Sequence, residues 1–466
     1  MKQKSIRIVI ASALLASTSA ALALPFNSFD PRSMAMGGAG VAVGDSSTAP
    51  FFNPALLTIT HEDDLFSLDL PIIGARIYDP DDFETSVDDF QNGGFVDDLQ
   101  AKIDTYNAVK IAGTIPQIST ALTAVTNDTS ALSTEFAKLS DKPIQGELGA
   151  GIVIGIPSKS FGSALYATGW GAMGGEIKYR DDQTLQDFVT ASNTVNTTVS
   201  ACAVIDVACL TPLASDPLVP TYFTVNLSVP SSPTVDFNTN TNLASSVNIR
   251  GVVLSEVGVA LSTEFGAGSS AWGFGITPKV VRATLLDYTA DVNSGDTGNA
   301  TDSDYTAKYT SVNFDLGLAK DYANGWRTGF VVKNVLPRSF DFKSIAPGAL
   351  PGSAQLTTGT LNLKAQARVG VSHSNDWSTV ALDVDLTNND PAGFEDPSKY
   401  VALGAELDAW GWAQLRLGYR ADVKNSDRNV ASVGVGISPF GVVHIDLAAS
   451  GNADEVGGSA RLAFTF

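Results

Sequence analysis

Histidine is nearly absent, with three in 466 residues, which leaves little room for the commonest general base and metal ligand. His61-Glu62 begins like a zincin helix, but Leu65 stands where the second histidine belongs. No G-x-S-x-G elbow and no P-loop occurs. The chain is therefore read as no enzyme, with no catalytic residues, no metal site and no cofactor. Cysteine is scarce too. Cys202 and Cys209 enclose six residues, which excludes a C-x-x-C redox motif and suggests a local disulfide in an oxidising compartment. Positive charge is short: 29 Lys and Arg face 49 Asp and Glu, for a net charge of −20. Direct nucleic-acid binding, which needs cations on phosphates, is excluded on that ground. Beyond the N-terminus no apolar run approaches the roughly 18 residues of a spanning helix, so no helical membrane segment is expected.

What is present begins with a secretory signal. Lys2, Lys4 and Arg7 precede an apolar stretch from Ile8 to Leu15, and Ala21-Leu22-Ala23 offers a small-x-small cleavage site. Cleavage after Ala23 removes those three cations and takes the charge from −20 to −23. In the rest, 44% hydrophobic residues, 42 glycines and 17% charged residues suit many strands joined by turns. From Gly359 onward the alternation is clean. Val380, Leu382, Val384 and Leu386 interleave with Ala381, Asp383, Asp385 and Thr387, and Leu415, Leu417 and Tyr419 with Arg416, Gly418 and Arg420. Period two places such sets on opposite faces of a strand.

Fourteen candidate strands emerge: 65–78, 146–158, 161–180, 246–265, 271–290, 309–320, 325–337, 359–373, 376–387, 398–408, 412–422, 429–438, 442–449 and 457–466. Every second connection is short, and most of the others are long and polar. Short turns on one side, long loops on the other and an even strand count mark an outer-membrane barrel. The fold class expected is all-β: a transmembrane antiparallel β-barrel. The last strand alternates Ala460, Leu462, Phe464 and Phe466 against Arg461, Ala463 and Thr465. Its terminal Phe466 resembles the signal by which such barrels reach the barrel-assembly machinery. Leu, Val and aromatic side chains then face outer-membrane lipid, where a closed ladder leaves no backbone group unpaired. Asp315, Asp383, Asp385, Glu406, Arg416, Arg420, His444, Asp446 and Arg461 are expected to face the lumen. There they either form a solvated charge lining or bridge to one another and to an inner segment.

The stretch Arg32 to Leu57, RSMAMGGAGVAVGDSSTAPFFNPALL, supplies the candidate for that segment. Its glycines fit neither nucleotide fingerprint, because Val43 follows Gly38-Ala39-Gly40 and no lysine comes after. It resembles the N-terminal segment of the FadL/OmpP1-like outer-membrane barrel superfamily, which folds back into the barrel as a plug. The resemblance implies a plug or hatch over 24–64, ahead of a barrel over 65–466 in the outer membrane of a Gram-negative bacterium. It carries Asn53, Pro54 and Ala55 as the plug turn, with Phe51 and Phe52 beside it. That turn is expected to be held by wall side chains.

Two insertions interrupt the barrel. The first, 79–145, opens with a run of aspartates and then carries an apolar stripe: Ile111, Ile115, Ile118, Leu122, Val125, Thr129, Leu132, Phe136 and Leu139. Spacings of four and three predict helix. Pro116 and Asn127-Asp128 are expected to break it into a hairpin, and self-burial is the default expectation for the stripe. The second, 181–245, is rich in Thr, Asn, Ser and Pro and reads as a long surface loop stapled by Cys202–Cys209.

Leu254–Phe265, Trp272–Leu285, Asp321–Pro337 and Gly418–Gly436 resemble the conjugal-transfer TraF outer-membrane family, distinct from the thioredoxin-like protein of the same name. The resemblance implies association with plasmid or integrative-element transfer, in a structural or surface role. Its partners are then conjugation-apparatus proteins or a partner-cell surface. The alternative is a FadL-like channel for small hydrophobic compounds. A transporter should hold a greasy pocket around Phe51 and Phe52 and a lateral gap in the wall. A structural component should expose an apolar surface on its insertions.

Overall fold

The computed structural model describes residues 29–59, 65–230, 232–238, 243–266, 271–291, 305–343, 359–389, 397–409 and 411–466. The secretory signal lies outside them. Fourteen antiparallel strands close into one barrel. In chain order they are β1 Ser67–Tyr78, β2 Ile144–Ile156, β3 Gly162–Lys178, β4 Ser246–Phe265, β5 Trp272–Asp291, β6 Thr306–Asp321 and β7 Trp326–Lys333, then β8 Gln366–Asn375, β9 Ser378–Asp385, β10 Tyr400–Ala409, β11 Ala413–Asp422, β12 Val430–Ile437, β13 Val443–Gly451 and β14 Glu455–Thr465. Each overlaps one of the fourteen candidate strands. Closure runs from Ser67 opposite Thr465 to Tyr78 opposite Glu455. The ladder bulges in β1 between Asp69 and Ile72 against both neighbours.

The distribution of side chains is inverted relative to a water-soluble domain. Leu382, Leu403, Leu415, Leu417, Val433 and Leu447 are exposed, while Asp69, Lys279, Arg368, Asp383, Arg416 and Arg461 are buried. Alternation puts the first set outside and the second inside. An apolar band of that extent is stable against acyl chains and costly against water. Exposed aromatic residues gather at the short-turn end, among them Phe161, Trp272, Trp326, Trp377, Trp412 and Phe440. Amphipathic rings favour that depth, where hydrocarbon meets headgroups. No described helix is long and apolar enough to cross a membrane.

At the long-connection end the two insertions fold together. Two short helices, α1 Pro31–Ala35 and α2 Ala49–Phe52, precede β1; the first insertion carries α3 Phe83–Gly93, α4 Phe95–Val109 and α5 Ile115–Leu139, and the second carries α6 Asp182–Ala201. Two expectations are corrected here. Helix α5 runs unbroken through Asn127-Asp128: that pair lies on the solvent side, while Val125, Thr129 and Leu132 continue the buried stripe beside it. Pro116 sits in the first turn, where a missing N–H loses no helical bond. Ile111 falls in the preceding turn and is exposed.

The second insertion is more than a surface loop. Ala191, Val195 and Val199 of α6 share one core with Ile118, Leu122 and Val125 of α5 and Tyr106 of α4, closed by Phe223 and Val235 from a small hairpin. The stripe of α5 is thus buried partly within its own insertion, against Tyr106 of α4 and Phe90 of α3, and partly against α6 of the other. Burial pushes the Tyr106 hydroxyl well above its usual pKa, and it donates to Val235 O at 2.8 Å. Cys202 and Cys209 are disulfide-bonded just past the end of α6.

Candidate functional site

Residues 29–59 lie against the inner face of the wall on every side. Helix α1 Pro31–Ala35 starts at Asp30, whose carboxylate accepts from Ser33 N at 2.8 Å. The chain then turns through Gly37 and Gly38, at φ of +70° and +95°, a conformation that glycine adopts without strain. It continues to α2 Ala49–Phe52 and a 3-10 turn at Pro54–Thr58.

Charged wall residues hold it at one end of each contact. The Arg32 guanidinium donates to both oxygens of Glu406 at 2.9 and 2.7 Å, and to Val43 O at 2.7 Å. Glu406 also accepts from Arg416 Nε at 2.6 Å, and Arg416 reaches Asp446 at 2.5 Å. Arg461 donates to Asp69 at 3.1 Å, to Asp45 at 3.1 Å and to Ser47 Oγ at 3.0 Å. Asp383 accepts from the consecutive amides of Gly40 and Val41 at 2.8 and 2.9 Å. Arg368 donates to Gly38 O and to Asp385, and Lys333 Nζ donates to Phe51 O at 2.8 Å. Charge-assisted bonds of this kind, shielded from water, are the strong ones.

Glycines of the wall make the close approaches. A Cβ at Gly317 would lie 2.1 Å from Asn53 Oδ1, at Gly275 2.4 Å from Ala55 N, at Gly329 2.3 Å from Val41 O, and at Gly418 2.1 Å from Gly37 N. Strand glycine has a positional meaning of this sort where another backbone comes near.

The turn at Asn53-Pro54-Ala55 is seated on these bare patches. Asn53 Nδ2 donates to Val41 O at 3.1 Å and to Leu318 O at 3.0 Å, and Asn53 Oδ1 accepts from Ala55 N. The wall therefore grips it through backbone and absent side chains, which replaces the expected grip by side chains. Phe51 packs against Phe29 and Tyr166, with ring centroids 5.7 and 5.8 Å apart, and the Phe52 ring lies against Gly40.

Of the nine charged wall residues read from the sequence, Asp383, Glu406 and Arg461 touch the segment directly. Arg416 and Asp446 act through Glu406 and Arg461, and Asp385 through Arg368. The remaining three lie elsewhere. Asp315 pairs with Lys279 at 3.0 Å, and Lys279 with Glu256 at 3.1 Å. Arg420 pairs with Glu455 at 2.7 Å. His444 sits between Ser438 Oγ and Thr465 Oγ1, at 2.8 Å from each. Arg32, Asp45, Asp69, Lys333 and Arg368 belong to the network and were not singled out from the sequence. For the wall residues the signal was available, since each occupies an inward position of an alternating strand.

Above the Gly37-Gly38 turn, toward the long connections, a cavity is lined by Arg76, Arg368, Arg420, Glu147, Glu455 and Trp170. These charged side chains share the lining with Phe29, Met34, Tyr400, Ala402 and Val430. Phe51 and Phe52 do not line this cavity; their rings are occupied by the contacts above.

The family described as "F plasmid transfer operon, TraF, protein" matches residues 50–385. Among solved structures, the Ralstonia pickettii toluene transporter TbuX is 13% identical, covering 95% of this chain and 99% of its own at a TM-score of 0.48. A Pseudomonas aeruginosa FadL homologue is 12% identical, covering 96% and 99% at 0.48. The CymD monoaromatic hydrocarbon channel is 12% identical, covering 95% and 99% at 0.47. A comparison with curated proteins gave no match. A family match over that much of the chain, on a closed fourteen-strand barrel, places this protein in the family of F plasmid transfer operon TraF proteins.

Proposed function

We propose that this protein is an outer-membrane barrel of conjugal transfer, of a plasmid or an integrative element, with a structural or surface role. In this reading residues 29–59 plug the lumen, and the helical domain at the long-connection end faces a conjugation-apparatus protein or a partner cell. One observation carries the reading. Two insertions far apart in the chain share a core, a construction that a conduit does not need and a docking module does. Donor cells carrying a chain with 83–139 and 182–243 each replaced by a short turn test it. Transfer frequency should fall while the amount of heat-modifiable barrel in the outer membrane stays constant. Unchanged transfer would refute the surface role.

A second reading, a channel for small hydrophobic compounds, is favoured by one feature: an apolar stretch of inner wall away from the charged network. It requires the segment to be a movable plug. Deleting 29–59 should then raise single-channel conductance in lipid bilayers with the barrel still assembled. Equal conductance would remove the plug from both readings.

A further inference from the structure

The outer side of the barrel wall carries little charge, and what it carries is of one sign. Among the described residues, the outward positions of the fourteen strands hold Arg282, Lys308 and Lys320 and no carboxylate. Acidic residues outnumber basic ones 49 to 29 in the chain, so composition does not set that bias. Lys320 stands at the short-turn end, its ammonium 5.0 Å from the centre of the Trp272 ring. Arg282 and Lys308 stand together at the opposite edge of the apolar band.

The ladder across β4, β5 and β6 fixes where that edge lies. Val257, Val280 and Val312 are paired in one row, and all three are exposed. The next outward row is Ser255, Arg282 and Thr310, and the one beyond it Val253, Thr284 and Lys308. Outward side chains thus change from valine to hydroxyl and cation within one repeat of the pleat. Arg282 lies ten residues beyond Trp272 on β5. At ~3.3 Å per residue and a tilt of roughly 40°, the two differ in height by about 25 Å, which is the height of the apolar band of an outer-membrane barrel. Exposed aromatic rings around Trp272 mark one boundary of the hydrocarbon. Arg282 and Lys308 therefore lie at the other boundary, at headgroup depth on the long-connection side.

The protein does not neutralise these two cations. Among the described residues no carboxylate is paired with Arg282 or Lys308, whereas on the inner wall Lys279, Arg416 and Arg461 each hold carboxylates. Both outward side chains are exposed. Arg282 faces Thr310 directly, and Lys308 stands two residues from Thr310, so the two cations are diagonal neighbours ~7–8 Å apart across the strands. At that spacing a guanidinium fork and an ammonium can close on one tetrahedral anion. The hydroxyls of Ser255, Thr284 and Thr310 flank them as further donors.

We propose that Arg282 and Lys308 bind a phosphate of a phosphorylated glycolipid in the outer leaflet, and so hold one headgroup at a fixed place on the β5–β6 wall. Charge and depth together select this occupant. Two cations that share no carboxylate call for an anion, and headgroups are what cover the wall at that height. The acyl chains beneath run down Val257, Val280 and Val312. The proposal rests on the outer-membrane placement common to both readings above and on the function of neither.

The full chain, purified in detergent and titrated with bisphosphorylated lipid A under native mass spectrometry, tests it. Arg282→Gln with Lys308→Gln should weaken retention of the first bound lipid at least tenfold, with heat-modifiable migration unchanged. Lipid A stripped of its phosphates should bind the unaltered protein as weakly as the phosphorylated form binds the double variant. Lys320→Gln, at the opposite edge, should retain the lipid as the unaltered protein does. Equal retention by the unaltered protein and the double variant would overturn the site, and so would equal retention of the two lipids. Inorganic phosphate should displace the lipid no more readily than chloride, which acts by screening alone; readier displacement would overturn the lipid in favour of the free anion. The two single variants repeat the measurement from β5 and from β6, so that a folding defect of one decides nothing by itself. Absence of the heat-modifiable barrel from the outer membrane would refute the placement, and both readings with it, before any lipid is added.

Discussion

Gly418→Ala should release the segment from the lumen. Gly418 lies on the inner face of β11, and a Cβ there would sit 2.1 Å from Gly37 N and 2.4 Å from Met36 C. Both are backbone atoms, so no rotamer change relieves the overlap. Strand β11 is laddered on both sides, to β10 and β12, so the segment is the part that yields. Overpacking of this kind costs ~1–3 kcal/mol. Alanine also gains roughly 0.5–1 kcal/mol over glycine within a strand, but that gain belongs to the barrel and does not hold the segment. At ~2 kcal/mol the local opening constant rises roughly 30-fold, since each 1.4 kcal/mol is a factor of ten. Ser33→Cys provides the readout: Ser33 is buried and its hydroxyl has no hydrogen-bond partner. Labelling of that thiol should accelerate by the same factor, with barrel migration on gels unchanged. Gly458→Ala is the control, its nearest Cβ contact being 3.7 Å, and it should leave the rate alone. Equal labelling in the two variants would refute the idea that bare wall positions seat the segment.

Arg461→Met strands Asp45 and Asp69 without their cation; breaking a buried pair in this way destabilises by ~3–5 kcal/mol, read as a lower thermal transition of the folded band. Leu122→Ala, at a fully buried position of the insertion core, should cost ~2–5 kcal/mol. Limited proteolysis should then cut 83–139 while the barrel band persists; simultaneous loss of both would mean that domain and barrel are one cooperative unit. Non-reducing peptide mapping should find Cys202 joined to Cys209. Reducing that bond should cost only ~2 kcal/mol because its loop is short, with faster hydrogen exchange confined to the end of α6.

The barrel was legible because its two faces meet opposite solvents. Leu403 and Glu406 differ in character for the same reason that they differ in direction, and period two survives every local propensity. The helical domain was legible only in part. Val195 and Val199 are four residues apart in a run of Thr and Asn, and their partners Leu122 and Val125 stand about seventy residues earlier. Neither insertion shows a self-sufficient apolar face, so each read alone as loop or lone hairpin. Asn127-Asp128 signalled a break that burial on the opposite face overrode. The segment was visible through its motif, but its grip was not. Glycine in a strand reads as weakness or as a turn, and only the enclosed backbone shows that Gly275, Gly317 and Gly418 are contact surfaces.

Arg32 and Glu406 stand 374 residues apart in sequence, a pairing that no local pattern reveals, and their energetic link can be isolated. Both oxygens of Glu406 accept from Arg32, and the side chains are 19% and 10% exposed, so water screens the pair little. Glu406 has a second partner in Arg416, which in turn keeps Asp446. Loss of Glu406 therefore leaves Arg416 with a carboxylate, and leaves Arg32 with the carbonyl of Val43 alone among these bonds. Arg32→Met, Glu406→Gln and the double variant form a cycle, scored by labelling at Ser33→Cys. Residues in direct contact couple by ~0.5–3 kcal/mol, and a bidentate, part-buried pair belongs in the upper half of that range. Each single variant should accelerate labelling, and the double should fall well short of their product. A multiplicative double variant would mean that the two act independently and that their ion pair does not help to hold the segment.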